Sequence, residues 1–343
     1  MSCSYLFPPP LKRGDQIRVV APSMSLSATD PGIRHIAHTR LTEFGFVVTY
    51  GRHAEESGPN DTASVKSRID DLHEAFADPA VKGIIAAAGG TLANQLLPYI
   101  DYGLVARHPK ALVGYSDITA ITAAINACSN VVTFYGPTFF DLGMLLNAEF
   151  TLDHFRSAMF RSAPFRLEKS DSWSDDSWRI DQHEREFRPN PGPRVIRPGR
   201  AVGRMIGGHL STFSLLRGTR FMPDLSGAIL IFEEDGSSRD ATAALLQRHL
   251  YALSQTPSFR DIRGLVFGRF PRCCQIPDNE LNRILETFAV TQSVDVPIVA
   301  DIDCGHTTPM LTWPSGAPGV LVATRDAINL EERGKHSICG SEQ

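Results

Sequence analysis

The sequence lacks the features that usually mark membrane, secreted or nucleic-acid-binding proteins. No apolar run in its 343 residues approaches the ~20 residues needed to span a bilayer. A net charge of −4 offers no basic surface to nucleic acid or to an anionic membrane. Residues 1–10 lack a basic stretch followed by an apolar core, so no signal peptide is expected. We therefore predict a cytoplasmic protein without nucleic-acid or membrane partners.

Cysteine is scarce and irregularly placed. The six cysteines follow no spacing typical of a disulfide framework, and two adjacent ones do not readily bond to each other. They are expected to be reduced thiols, in agreement with a cytoplasmic location. Their positions are Cys3, Cys128, Cys273, Cys274, Cys304 and Cys339.

Motifs that bind cofactors or metals are also missing from the sequence. It contains no GxGxxG fingerprint, and no Gly-Lys-Ser/Thr follows Gly89-Gly90 to make a P-loop. His183-Glu184 is not continued to HExxH, and no CxxC or HxxxH pair is present. Neither a cofactor nor a catalytic metal is therefore expected.

Short apolar segments alternate with amphipathic ones in the first part of the chain. Residues 33–46 and 62–76 have helical periodicity and lie between predicted strands. This alternation favours an α/β fold with a parallel sheet and helices on both faces. Ligands in such folds gather at the carboxyl ends of the strands. The predicted strands are Ile17–Ala21, Val47–Tyr50, Val81–Ala87 and Ala111–Val113.

The composition changes after a first predicted domain at residues 1–165. Residues 166–194 are polar and rich in helix breakers, which predicts a long loop or linker, and such loops often act as lids. Trp173 and Trp178 within it either staple the loop to the protein or form a stacking surface for a flat ligand. Short β-like runs resume afterwards, so residues 195–343 are predicted to form a smaller α/β domain with a β-rich core.

Ser116 is the first candidate for chemistry. It follows the buried run Ala111–Val113 and precedes a predicted helix that starts near Asp117. A serine at a sharp strand-to-helix turn can act as a nucleophile, because its hydroxyl stands clear of the sheet and the next amide can face an oxyanion. A simple helix cap is the alternative, since Ser and Asp are common capping residues. The GxSxG pattern is not met, because Ile118 replaces its second glycine.

Further candidates follow strands later in the chain. The buried run Ala228–Phe232 ends in Glu233 and Glu234, and His306 lies in a Gly- and Pro-bounded loop after another strand. A carboxylate at a strand end can orient a histidine, although acidic residues at a turn are more often only solvated. With Ser116 these residues supply the groups of a catalytic triad, which is defined by geometry and role rather than by chain order.

Four motifs in this chain resemble the LD-carboxypeptidase family of serine peptidases, and within it the branch of microcin C immunity proteins. The resemblance covers nearly the whole chain. It implies a cytoplasmic, usually dimeric enzyme with an N-terminal Rossmann-like domain, a C-terminal β-rich domain and the active site between them. The motifs are Gly89-Gly90 with Asn94–Pro98, Gly114–Asp117, Ile231–Glu234 and Asp303–Pro309.

The resemblance implies catalytic roles for particular residues. Ser116 corresponds to the nucleophile of the family, His306 to its histidine, and Glu233 to its acid, with Glu234 as the alternative. The expected oxyanion hole consists of the backbone amides of Gly90 and Asp117. The expected substrate-binding residues are Asn94, Trp173 and Trp178.

The same resemblance bears on the substrate. Residues Ala88–Leu92 replace the Arg-Gly-Gly-Tyr-Gly that the muropeptide-cleaving branch usually carries, and Trp178 is favoured over Trp173 to stack on a nucleobase. We therefore expect cleavage of an amide between an aminoacyl group and a nucleotide. The alternatives are an LD-carboxypeptidase acting on cell-wall muropeptides, an esterase-like hydrolase with the same triad, and a non-catalytic small-molecule binding protein.

Overall fold

The computed structural model describes residues 5–333, so Cys3, Cys339 and the last ten positions of the predicted C-terminal domain lie outside the described residues. The described residues form fifteen β-strands and eight α-helices. The strands are β1 (Gln16–Val20), β2 (Val47–Tyr50), β3 (Val81–Ala86), β4 (Ala111–Gly114), β5 (Thr133–Tyr135), β6 (Ser172–Trp173), β7 (Arg188–Pro189), β8 (Arg194–Arg197), β9 (Gly199–His209), β10 (Ala228–Glu233), β11 (Gly264–Gly268), β12 (Ile298–Ile302), β13 (Trp313–Ser315), β14 (Pro318–Ala323) and β15 (Ile328–Glu332). The helices are α1 (Pro31–Glu43), α2 (Val65–Ala77), α3 (Tyr102–Arg107), α4 (Thr119–Ser129), α5 (Glu149–Phe160), α6 (Leu210–Ser214), α7 (Thr242–Ser254) and α8 (Asp278–Thr291).

The first sheet has six strands in the order β13-β5-β4-β3-β1-β2, and β1 to β5 are all parallel. Strand β4 is buried along its whole length because a parallel sheet is covered on both faces. One face packs against α2, α3 and α4 through residues such as Leu72 and Ile121. The other packs against α1 and α5 through residues such as Leu41 and Phe155. The predicted α/β class and the helices on both faces are confirmed.

The second sheet has seven strands in the order β15-β14-β9-β10-β11-β12-β8. Its central strands β9 to β12 are parallel, whereas β8, β14 and β15 add antiparallel pairings at the edges. The parallel strands of each sheet end at a carboxyl edge, where the polar side chains of the following loops collect. The predicted β-rich core of the C-terminal half is therefore present.

One strand crosses the predicted division at residue 195. Strand β13 lies far along the second half of the chain but pairs antiparallel with β5 in the first sheet. The fully buried Trp313 stacks there on Tyr135 with ring centroids 5.3 Å apart. The predicted unit 195–343 is therefore not confined to one sheet, because this apolar strand completes the edge of the other.

Residues 166–194, which we call the tryptophan segment, cross the surface as mostly irregular chain with one short two-stranded sheet, β6-β7. Arg185 fastens the segment with a side chain of zero exposure. Its Nε donates to Asp176 at 2.8 Å, one guanidinium nitrogen to the carbonyl of Leu146 at 3.1 Å, and the other to Thr308 Oγ1 at 2.7 Å. The segment is therefore held against the loop that carries His306.

Two composition-based expectations concern thiols and membranes. The four described cysteines, Cys128, Cys273, Cys274 and Cys304, are free. Across residues 5–333, every helix is too short or too polar to traverse a lipid bilayer.

Candidate active site

Ser116 lies at the turn between β4 and α4. Its φ of +59° is in the left-handed region, which a non-glycine residue adopts only when the surrounding structure enforces it. A short 3₁₀ turn, Ser116–Ile118, leads into the helix, so the amide of Asp117 is among the first N–H groups, which have no intrahelical partner. Ser116 is thus held at an elbow at the carboxyl end of a buried strand.

His306 and Glu233 meet Ser116 from the second sheet. His306 Nε2 lies 3.1 Å from Ser116 Oγ, and His306 Nδ1 lies 2.7 Å from Glu233 Oε2. The other carboxylate oxygen of Glu233 accepts a hydrogen bond of 2.6 Å from the Tyr135 hydroxyl. The carboxylate contacts Gly305 so closely that a Cβ there would lie 2.2 Å from Glu233 Oε2. Three residues that are distant in sequence therefore form one hydrogen-bonded series.

The buried carboxylate of Glu233 is ionised. Burial alone raises its pKa, but the charge and hydrogen bond of His306, the charge of His209 and the Tyr135 hydroxyl outweigh burial and lower it. A negative charge beside Nδ1 favours the tautomer in which Nε2 is free to accept a proton from Ser116.

Glu234, the other candidate acid, points to a different partner. Its carboxylate accepts hydrogen bonds of 2.7 and 2.9 Å from the Ser211 hydroxyl and lies 3.2 Å from His209 Nε2. His209 is the last residue of the neighbouring strand β9 and pairs in register with Glu233, and its ring packs edge-on against His306 at 5.3 Å. Consecutive residues at a strand end face opposite ways, so only one glutamate reaches His306.

His209 is a buried cation at neutral pH. Burial opposes its charge, but the hydrogen bond to Glu234 and the charges of Glu233, Glu234 and Asp235 raise its pKa to about 9. A histidine whose pKa is higher in the folded state than its ordinary 6.5 stabilises the fold below pH 6.5 and loses that contribution as the pH rises through 9.

We therefore expect His209→Gln to destabilise the protein most below about pH 6.5. The difference in unfolding free energy between the wild type and the variant should fade as the pH approaches about 9. Urea denaturation followed at several pH values measures it. A difference that is constant from pH 6 to 10 would show that His209 contributes packing rather than charge.

The glycine pair Gly89-Gly90 lies against the serine. A Cβ on Gly89 would lie 3.0 Å from Ser116 Cβ, and Gly90 has a φ of +143° with Ser23 Oγ 2.3 Å from where its Cβ would be. The loop is fixed by the buried Asp117 carboxylate, which accepts from Ser23 Oγ at 2.5 Å and from the amide of Ala93 at 2.8 Å. Gly89 therefore lies directly against the Ser116 side chain, and Gly90 follows it next to Ser23.

The predicted substrate-binding residues lie at different distances from this centre. Asn94 is half-buried in the turn after the glycine pair, next to the residue whose amide binds Asp117. Trp178 is only 5% exposed and packs with Ala88 and Phe140, at 5.1 Å between the aromatic ring centroids. Trp173 lies beyond, with its ring 4.9 Å from the guanidinium carbon of Arg269. Trp178 is thus the tryptophan that adjoins the glycine loop.

Three side chains of the site also have the spacing of a metal-binding group. Ligand atoms of His209, Glu233 and His306 lie within 4.8 Å of one another. Both His306 nitrogens and both Glu233 oxygens already take part in the hydrogen bonds described above. We therefore assign no metal ligand among these residues.

Sequence reasoning missed several supporting residues. Tyr135 and Ser23 are separated from their partners by 98 and 94 positions, and no local pattern indicates these contacts. His209 gave a weak signal, because a histidine after a glycine pair at the end of an apolar strand resembles the other site positions. Asp117 was expected to contribute its amide, whereas its side chain also anchors the glycine loop.

A hydroxyl, an imidazole and a buried carboxylate in series, at the carboxyl ends of parallel strands, define a hydrolase of the serine type. Comparison with known proteins gives the family. Residues 17–136 match the LD-carboxypeptidase N-terminal domain and residues 202–321 match the LD-carboxypeptidase C-terminal domain. The chain belongs to the LD-carboxypeptidase family of serine peptidases.

Individual relatives cover nearly the full length of the chain. "Putative carboxypeptidase YocD" of Bacillus subtilis is 39% identical over 89% of this chain and 93% of its own length. The microcin C7 self-immunity protein MccF of Escherichia coli is 27% identical over 94% and 95% of the two chains. The murein tetrapeptide carboxypeptidase of Pseudomonas aeruginosa is also 27% identical, over 90% and 94%. The family thus includes members named for two different substrates.

Solved structures agree with the fold. An MccF-like protein from Bacillus anthracis superposes with a TM-score of 0.93 at 39% identity, over 95% of this chain and 99% of that one. MccF in complex with aspartyl sulfamoyl adenosine superposes with a TM-score of 0.86 at 26% identity, over 96% and 99%. The enzyme is therefore a serine peptidase or amidase with the architecture of MccF.

Proposed function

We propose that Ser116, His306 and Glu233 form the catalytic triad of this enzyme. The hydrogen-bonded series from Ser116 Oγ through the imidazole to the carboxylate carries the proposal. Ser116 Oγ attacks the substrate carbonyl while His306 Nε2 takes its proton, and Glu233 stabilises the resulting imidazolium. His306 then gives the proton to the leaving nitrogen. Water hydrolyses the acyl-serine by the same steps in reverse, which regenerates Ser116.

The oxyanion formed on the substrate is stabilised by the amides of Gly90 and Asp117. Gly90 follows Gly89, whose Cβ position would lie 3.2 Å from Ser116 Oγ, and Asp117 follows Ser116 with an amide that has no intrahelical partner. The Asp117 carboxylate fixes the glycine loop before substrate arrives, so its donors need no reorganisation during the reaction.

The substrate we propose is an aminoacyl nucleotide with an amide-type bond between its two parts. Two observations support it: MccF, which resembles this chain over nearly its whole length, has been solved with aspartyl sulfamoyl adenosine, and Trp178 adjoins the glycine loop. Because Trp178 is 5% exposed, stacking of a nucleobase on it requires a local rearrangement that uncovers its ring. The product is a free amino acid or peptide and a nucleotide amide.

Mass spectrometry of two parallel incubations tests the substrate. One contains an aminoacyl-nucleotide amide such as aspartyl sulfamoyl adenosine, and the other a muropeptide with an L,D-amide bond. We expect cleavage of the first at the aminoacyl bond and none by the Ser116→Ala control. Cleavage of the muropeptide alone would assign the enzyme to the murein carboxypeptidases. Stoichiometric binding without cleavage of either would indicate a binding protein.

Separate substitutions of the two tryptophans distinguish their roles. We expect Trp178→Ala to raise KM for the nucleotide substrate by about 10-fold or more, as is usual when a base loses an aromatic partner. Trp173→Ala should change KM less than about threefold. Trp178→Phe should recover most of the affinity because it keeps a ring and its packing. An equal rise in KM for a substrate that lacks a nucleobase would show that Trp178 only supports the fold.

A further inference from the structure

We propose that Arg179 binds an anionic group of the substrate next to the scissile bond and thereby makes this enzyme select amides that carry such a group. The group is a carboxylate, or the acidic phosphoryl or sulfamoyl link of an aminoacyl nucleotide. The inference deepens the proposed function and rests on it, because it names a chemical feature that the substrate must have.

Arg179 stands one side chain away from the catalytic histidine. It follows Trp178 in the tryptophan segment, and its guanidinium lies 3.4 Å from the Tyr115 hydroxyl. Tyr115 precedes Ser116, and its ring packs against His306 with centroids 5.1 Å apart. Tyr115 therefore links the guanidinium of Arg179 to both the nucleophile and the histidine, and we place the anionic group of the substrate beside this guanidinium.

The guanidinium of Arg179 is largely unsatisfied by the protein. Its side chain is 47% exposed, and within residues 5–333 its one side-chain hydrogen bond is the long contact to Tyr115. Arg179 forms an ion pair with Asp141, the nearest carboxylate, at 3.8 Å, a distance beyond that of a hydrogen bond. Asp141 already accepts bonds of 2.9 and 2.5 Å from the amide and hydroxyl of Thr138 and one of 3.2 Å from Tyr115. Most of the five donors of Arg179 are therefore available to a ligand.

Aromatic rings hold the guanidinium in place without using those donors. Its central carbon lies 4.6 Å from the ring centroid of Phe140 and 5.8 Å from that of Trp178. Such cation–π contacts orient an arginine while leaving its N–H groups free to bind a planar or tetrahedral oxyanion at two points. A lysine at this position would keep the charge and lose the two-point geometry.

A second arginine in the same segment shows the difference. Arg185 is fully buried, and its three side-chain hydrogen bonds to Asp176, Leu146 and Thr308 are between 2.7 and 3.1 Å. Its role is to fasten the segment. The Arg179 side chain is half-exposed, and its contacts to Tyr115 and Asp141, at 3.4 and 3.8 Å, are longer than any of these three.

Two matched substrate pairs test the inference. The first is aspartyl sulfamoyl adenosine and its N-methyl counterpart, in which a methyl group replaces the acidic hydrogen of the acyl sulfamate nitrogen, so that this link is neutral. The second is an L,D-peptide with a free C-terminal carboxylate and the same peptide as a C-terminal amide. Within each pair the charge next to the scissile bond is removed while the length of the compound is kept. The readouts are kcat/KM and, on the Ser116→Ala background, affinity by calorimetry.

We expect Arg179→Ala to lower kcat/KM and affinity for one anionic member by about 10- to 100-fold, the usual worth of a charge-assisted hydrogen bond. Its neutral partner should change less than about threefold, and Arg179→Lys should be intermediate. The pair that responds identifies the source of the anion. Arg166→Ala is the control, because this exposed arginine pairs with Glu331 at the start of the same segment.

An equal loss for the charged and neutral members would overturn the inference and leave Arg179 a structural role. No loss for either anionic member would do the same. The two proposals fail separately: if the wild type cleaves none of the four compounds, the proposed function is wrong. Charge-dependent binding to the Ser116→Ala variant would still support an anion site at Arg179 in that case.

Discussion

Ser116→Ala should lower kcat for amide hydrolysis by about 10⁴- to 10⁶-fold, the range observed when a serine hydrolase loses its nucleophile. The reason is that no other hydroxyl is hydrogen-bonded to His306 Nε2 among the described residues, so the acyl-enzyme cannot form. Alanine fits the space of serine, and substrate affinity measured by calorimetry should stay within about threefold. Turnover close to that of the wild type would remove Ser116 from the mechanism.

Ser116→Gly provides a matched control for this variant. Both substitutions remove the hydroxyl, so both should be inactive, but only glycine adopts a φ of +59° without steric cost. We expect the glycine variant to be more stable than the alanine variant by about 1 kcal/mol in urea denaturation. Equal stabilities would mean that the elbow stores no strain.

The sequence predicts the parts of the site that depend on where strands end. Ser116, Glu233 and His306 each follow a short apolar run, and side chains in that position reach the carboxyl edge of a sheet. These three residues come together because the carboxyl edges of the two sheets face each other. No local sequence pattern predicts that arrangement. The crossing of β13 into the first sheet has the same origin, because its Trp313 has no sequence signal that names Tyr135 as its partner.

The family resemblance favours Glu233 over Glu234 and Trp178 over Trp173, but no local pattern in the sequence distinguishes the members of either pair. Glu233 and Glu234 are chemically identical, and the alternation of side chains at the end of β10 directs Glu233 to His306 and Glu234 to His209. The tryptophan segment was recognised as a loop with two tryptophans. Trp178 is buried, whereas the adjacent Arg179 is half-exposed. This difference depends on packing against Phe140, a residue from another part of the chain.

Glu233→Gln should lower kcat by about 10³- to 10⁴-fold, because a triad acid both sets the histidine tautomer and stabilises the imidazolium. The buried carboxylate accepts from Tyr135 on one oxygen and from His306 on the other. A glutamine side chain has an NH₂ group in place of one carboxylate oxygen. If the NH₂ group faces His306, it donates a hydrogen bond to Nδ1, and the ring hydrogen then lies on Nε2. If the NH₂ group faces Tyr135, the Tyr135 hydroxyl loses its acceptor. The negative charge is lost in both orientations.

Glu234→Gln is the matched control, since it removes a charge of the same kind one residue away. Glu234 binds Ser211 and His209 rather than His306, and glutamine keeps an acceptor for the Ser211 hydroxyl. We therefore expect kcat to fall less than about 10-fold, while stability falls because His209 loses its charged partner. Kinetics of the two variants at pH 7 measure the contrast. An equal loss of kcat in Glu234→Gln and Glu233→Gln would contradict this. It would mean that the total negative charge of both glutamates, rather than the hydrogen bond from Glu233, sets the reactivity of His306.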